Sequence, residues 1–172
     1  MIQLDKQSAH RLLQMVESGL VSYRYTMPWA DDIIIEQDEP PAWVCELSTA
    51  RYQGKISGVL REYIFSEPIK AIDTKTANRY YVGCLFLRYS RGEISWATCL
   101  EEIGKFADGT EVGKPCEFFF GMLNDLEDAE YDHQVEEAQV QEILAEYNVV
   151  IDTVKAEYEP FLHCFRKQRQ KR

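Results

Sequence analysis

Seven carboxylates fall within thirteen residues of this chain: Asp125, Glu127, Asp128, Glu130, Asp132, Glu136 and Glu137. Hard divalent cations are held by clustered oxygen ligands, and a basic protein surface is drawn to the same charge. If one helix ran through the stretch, Asp125, Asp128 and Asp132 would share a face. Three readings are open at this point: a solvated helix end and loop, a docking surface for a basic partner, and a metal site.

The metal reading has a concrete form. All-α enzymes that cleave nucleotide pyrophosphates bind magnesium between ExxE and ExxD pairs on facing helices. Glu127 and Glu130 supply one such pair, and no second one follows at matching spacing. Covalent catalysis would need a nucleophile with a positioned base. The histidines are His10, His133 and His163, and His163 stands beside Cys164, but neighbours on a helix point about 100° apart. The sequence contains no nucleophile elbow, Gly-rich phosphate loop, zinc spacing or HExxH. It names no catalytic residue and implies no cofactor.

The formal net charge is −10, and it is unevenly spread. Residues 1–39 carry 3 basic and 7 acidic groups, residues 40–91 carry 8 and 4, and residues 92–165 carry 3 and 18. The tail Arg166-Lys167-Gln168-Arg169-Gln170-Lys171-Arg172 adds five cations, which could bind phosphate, complement a helix C-terminus or fold back on the acidic half. Such a balance argues against nucleic acid and anionic lipid as partners, and favours a protein with a basic surface. The N-terminus lacks an apolar segment of signal-peptide length, and no stretch approaches the roughly 20 apolar residues of a membrane span. Five cysteines, an odd number without a CxxC spacing, read as free buried thiols in a reducing compartment, so the expected location is cytoplasmic.

The elements that must position these groups are helical. Apolar residues recur every three or four positions through Leu4–Val16, Trp29–Ile34, Ala42–Ala50, Ile56–Phe65, Tyr80–Leu87, Trp96–Phe106 and Phe118–Leu126. A long final segment follows, from Val140 to Phe165, which Pro160 is expected to kink or restart. Ser22 can cap the second helix, with Pro28, inside the segment, the alternative start of its regular part, and Thr76 is expected to cap the helix after the loop at 66–75. The run at 80–87, apolar nearly all round, should be the most buried helix. Trp29, Trp43 and Trp96 sit on apolar faces, with Trp43, just after Pro40-Pro41, the one expected to be partly exposed. Length and pattern predict an all-α fold, a single-domain bundle of seven to eight helices over residues 1–172, with 166–172 a basic tail.

One internal echo stands out. Gly19-Leu20-Val21-Ser22-Tyr23 matches Gly92-Glu93-Ile94-Ser95-Trp96, a helix ending at the Gly and the next capped by the Ser. A proline opens a third helix 19 or 20 residues after each Ser. Two related helical units, about 4–50 and 77–129, packed side by side, would explain the match.

The turn Gly19–Ser22, the segment Trp29-Ala30-Asp31-Asp32 and the run Pro40-Pro41-Ala42-Trp43-Val44-Cys45-Glu46-Leu47 resemble small acidic all-α bacterial proteins of unassigned function, some of them immunity proteins encoded beside toxins. The resemblance implies a non-enzymatic protein that binds and neutralises, or recruits, a basic partner. Two other classes stand beside it: a helical adaptor that assembles as a homodimer or larger homo-oligomer, and a metal-dependent hydrolase built on the acidic helices.

Overall fold

The computed structural model describes residues 4–170. It contains eight α-helices and, among the described residues, no strand, so the expected all-α fold is what the chain adopts. In order they are α1 (Lys6–Glu17), α2 (Tyr23–Glu36), α3 (Ala42–Thr49), α4 (Gln53–Phe65), α5 (Thr74–Ser90), α6 (Trp96–Ala107), α7 (Cys116–Asp128) and α8 (His133–Gln170). No helix among the described residues is long and apolar enough to cross a membrane.

The chain divides into two compact units, one comprising 1–72 with 155–172 and the other 73–154. In the first, α1 packs on α4 and α2 on α3, while the last turns of α8 supply Tyr158 and Phe161 to the core. Four of its rings lie in series: Tyr63 stacks on Trp43 at 5.1 Å, and Trp29, 6.1 Å from Trp43, lies tilted against Phe161 at 4.9 Å. Trp43 is therefore buried, not partly exposed, because α3 turns its apolar face inward immediately after the prolines.

In the second unit α5, α6, α7 and the first half of α8 surround a core of Leu85, Trp96, Leu100, Ile103, Phe119 and Tyr147. Six consecutive residues of α5, Val82 to Leu87, are buried, as its unbroken apolar run requires. Gly83 lets α8 come close: a Cβ there would lie 2.9 Å from a Val154 methyl and 3.4 Å from the Val150 carbonyl oxygen.

Several ends differ from the sequence expectation, each for a local reason. Helix α2 begins at Tyr23, directly after Ser22, and runs through Pro28, so of the two starts open to it the one at Pro28 is not taken; the proline forfeits one backbone bond inside the helix. Helix α5 is capped by Asp73, whose carboxylate accepts the Thr76 N–H at 3.2 Å and the Thr76 hydroxyl at 2.5 Å, so Thr76 is the capped residue and not the cap. Helix α8 continues through Pro160 without restarting. All five cysteines are free, but Cys45 is exposed and Cys116 half-buried, so only Cys84, Cys99 and Cys164 fit the buried-thiol expectation. Both turns of the internal echo place glycine in the left-handed region, φ 78° at Gly19 and 71° at Gly92. They differ at the serine, since Ser95 accepts the Thr98 N–H at 3.1 Å whereas Ser22 makes no side-chain capping bond.

Candidate functional site

The acidic stretch is not one helical face. Helix α7 stops at Asp128 and α8 starts at His133, which separates Asp132 from Asp125 and Asp128. The break is a Schellman-type turn: Tyr131 N–H donates to the Leu126 carbonyl at 2.8 Å and Glu130 N–H to that of Glu127 at 2.9 Å. Such a turn needs a left-handed residue after the helix, usually glycine. Here two non-glycine residues take positive φ in succession, Glu130 at 52° and Tyr131 at 61°. Leu126, 1% exposed, anchors the turn to the core, while Tyr131 keeps 58% of its surface in solvent.

The seven carboxylates consequently fall into two groups. Asp132 caps α8, accepting the N–H groups of Gln134 at 2.9 Å and Val135 at 3.3 Å. Glu136 accepts the Tyr89 hydroxyl at 2.7 Å; burial first, then this bond, holds the Tyr89 phenol well above its ordinary value. Glu137 faces His133 at 3.2 Å. These three stand at the positive end of a helix dipole and serve the fold. Asp125, Glu127 and Asp128 stand in the last turn of α7, at the negative end, with no basic residue in that turn. With Glu130 they are exposed, and among the described residues none of the four has a side-chain partner. Their charge opposes the local field and does nothing for the helix.

A stability contrast follows. Asp132→Ala is expected to lose about 1 kcal/mol, an ordinary N-cap effect. Asp125→Asn with Asp128→Asn is expected to gain about 0.5–1 kcal/mol by relieving the α7 terminus. Thermal unfolding of the two variants checks both signs; equal losses would mean that the two groups are not different in kind.

The metal reading finds no geometry. Among the described residues no three His, Cys, Asp or Glu side chains converge as a cation cage. The Glu127/Glu130 pair is split, because Glu127 lies on the helix and Glu130 on the left-handed turn, which breaks the i,i+3 alignment that an ExxE site depends on. His163 is exposed while Cys164 is buried, so the adjacent pair does not form a nucleophile and base.

Charge sorts with the two units. Residues 73–154 hold 6 basic and 17 acidic groups, −11, whereas 1–72 with 155–172 hold 13 and 12, +1. The basic tail contributes to the near neutrality of the first unit, where Lys167 pairs with Asp32 on α2 at 2.9 Å. Lys171 and Arg172 lie outside the described residues. The first unit also holds a cavity of about 340 Å³ walled by Leu12, Met15, Trp29, Trp43 and Phe161, with the Arg11–Glu157 ion pair in its lining.

Sequence reasoning found the carboxylates but missed Tyr131, whose exposure and backbone follow from a turn that no glycine or proline announces. The Glu-Tyr dipeptide between Ala129 and Asp132 carries no turn signal of its own. No protein family, curated protein or solved structure matches the chain.

Proposed function

We propose that this is a non-enzymatic protein-binding protein whose second unit docks a basic partner on the α7–α8 turn, in the inhibitory manner that the resemblance to immunity proteins implies. The observation that carries the reading is one exposed tyrosine held in a left-handed backbone and flanked by carboxylates that nothing in the fold uses. Tyrosine is a frequent anchor of protein interfaces, supplying large contact area at the loss of few rotamers. The surrounding charge would steer the encounter, in a unit whose net charge is −11. The other large exposed apolar side chains among the described residues are Ile35, Tyr52, Phe65, Ile69 and Val149; Phe65 and Ile69 lie at the end of α4 and just after it, the rest on other elements, and none has a left-handed backbone.

The test is titration of the full chain against candidate basic proteins, beginning with any toxin encoded beside it. For a true partner, Tyr131→Ala is expected to weaken binding by about 2 kcal/mol. Asp125→Lys with Asp128→Lys is expected to slow association and to flatten its dependence on salt. A partner whose affinity neither variant alters would show that the turn is not the docking surface.

A further inference from the structure

The first unit contains a second concave feature that the acidic turn does not explain. A cleft of about 420 Å³ opens between the first turns of α2 and the last turns of α8, lined by Tyr23, Arg24, Met27, Phe165 and Arg169 among others. Both arginines are exposed, and among the described residues neither has a carboxylate partner. Pairing is available nearby, since Lys167 engages Asp32 and Arg11 engages Glu157 in the same unit. The two guanidiniums are instead held against rings, Arg24 at 5.9 Å from the Tyr23 centroid and Arg169 at 5.7 Å from that of Phe165. Phe165 is itself fixed by stacking on Tyr25 at 4.6 Å.

A third cation borders the cleft. Arg51 reaches the Met27 sulfur, and Met27 is part of the wall. The field there is positive: the Tyr23 phenol is drawn below its ordinary value first by its bond from Arg24, then by the charges of Arg24 and Arg51. Asp31 lies within the electrostatic reach of Arg51, though burial is the larger influence on it, and Asp32 is already engaged by Lys167.

The walls thus combine two guanidiniums that have no carboxylate partner among the described residues with aromatic and thioether surface. Guanidinium forks match phosphate oxygens, and a phosphate monoester carries about −1.5 to −2 at neutral pH, which balances the two. Aromatic side chains and arginine planes accept a flat base with little regard to its identity. A cleft of this volume suits a ligand of nucleotide size. We propose that the α2–α8 cleft binds a mononucleotide, Arg24 and Arg169 holding the phosphate and Tyr23, Met27 and Phe165 bordering the base. The basic tail then has a local role, for its residue Arg169 is one arm of the site.

The test is calorimetric titration of the full chain with AMP and UMP, and with adenosine and inorganic phosphate as the two halves of the ligand. At least one nucleotide is expected to bind saturably and at least tenfold more tightly than either half. Arg24→Gln and Arg169→Gln are each expected to weaken it about tenfold, the loss of a charge-assisted pair. Arg61→Gln, which breaks the exposed Arg61–Glu17 pair outside the cleft, should leave it unchanged. Far-UV circular dichroism establishes that the exposed variants keep the fold. Phosphate binding as tightly as the nucleotides would reduce the cleft to an ion site and overturn the proposal. So would nucleotide binding that both glutamine variants retain, binding of an oligonucleotide alone, or no binding at all. None of these outcomes bears on the acidic turn, which lies in the other unit.

Discussion

Gln139→Leu is expected to destabilise the second unit by about 3 kcal/mol, one of the largest effects of any side chain that neither the hydrophobic pattern nor the charge map singles out. Gln139 sits on α8 at 7% exposure and joins two helices through its amide. Its oxygen accepts the indole N–H of Trp96 on α6 at 2.9 Å, and its nitrogen donates to the Met122 carbonyl on α7 at 2.7 Å. Leucine fills a similar volume but offers neither function. It would leave the buried Trp96 donor unpaired, at roughly 1–3 kcal/mol, and would take from the Met122 carbonyl, which the α7 backbone ladder already satisfies, a second bond worth about 1 kcal/mol. Urea unfolding followed by far-UV ellipticity reads the loss, and hydrogen exchange localises it to 73–154. The partial rescue is equally specific. Trp96→Phe added to Gln139→Leu removes the orphaned donor and should recover part of the deficit as a coupling energy. A single-variant change below about 1 kcal/mol would mean that the relay is not formed.

That relay also shows where sequence reading stops. Gln139 lies between acidic and polar neighbours in Glu136-Glu137-Ala138-Gln139, and nothing in composition separates it from the exposed glutamines Gln134 and Gln141. Helical phase does, in retrospect: Gln139 is four residues before Ile143 and eight before Tyr147 and Ile151 falls on the same side, all of them buried. The apolar runs that predicted the helices were legible because period-3.6 burial is written in residue type. Caps and turns were legible only where glycine or serine marked them. At Asp73 and Thr76 two good capping types stood within four residues, and the pattern alone could not choose between them. At Glu130-Tyr131 the left-handed backbone is imposed by the Leu126 anchor and the start of α8, not by the local residues.

Charge gives the opposite lesson. The acidic and basic segments were visible by counting, but their grouping was not. The acidic N-terminal segment and the basic tail belong to one unit, and their opposing charges leave it near neutral. What remains is a second unit whose charge of −11 exceeds the −10 of the whole chain. Splitting its carboxylates into helix-supporting and helix-opposing sets depended on where α7 ends, a boundary that no residue in Leu126-Glu127-Asp128-Ala129 announces. A chain that keeps Asp125, Glu127 and Asp128 at the wrong end of a helix dipole retains them at a loss of stability. The docking role proposed for the α7–α8 turn would account for that loss.

Gly83→Leu is expected to be at least as damaging as the loss of Gln139, by roughly 3 kcal/mol, and Gly83→Ala to show the same sign on a smaller scale. In an ordinary helix interior, glycine to alanine gains close to 1 kcal/mol. On α5 that gain is opposed by a contact that has no room to relax. The added Cβ would meet the Val154 methyl at 2.9 Å, and Val154 is fully buried, so it has no solvent to retreat into. Behind it stands the Val150 carbonyl oxygen at 3.4 Å, which is backbone and moves only with the helix. Leucine would therefore push α5 and α8 apart along the most buried stretch of the unit. Gly104 on α6 is the control. Its Cβ would also meet a neighbour at 2.9 Å, but that neighbour is the half-buried ring of Phe120, the far end of a side chain that can swing aside. Gly104→Ala is accordingly expected to stay within about 0.5 kcal/mol of the natural chain, propensity offsetting displacement. Parallel urea titrations of the two alanine variants test the distinction. If Gly83→Ala proved as harmless as Gly104→Ala, close approach of α8 would not be the reason that position 83 is glycine.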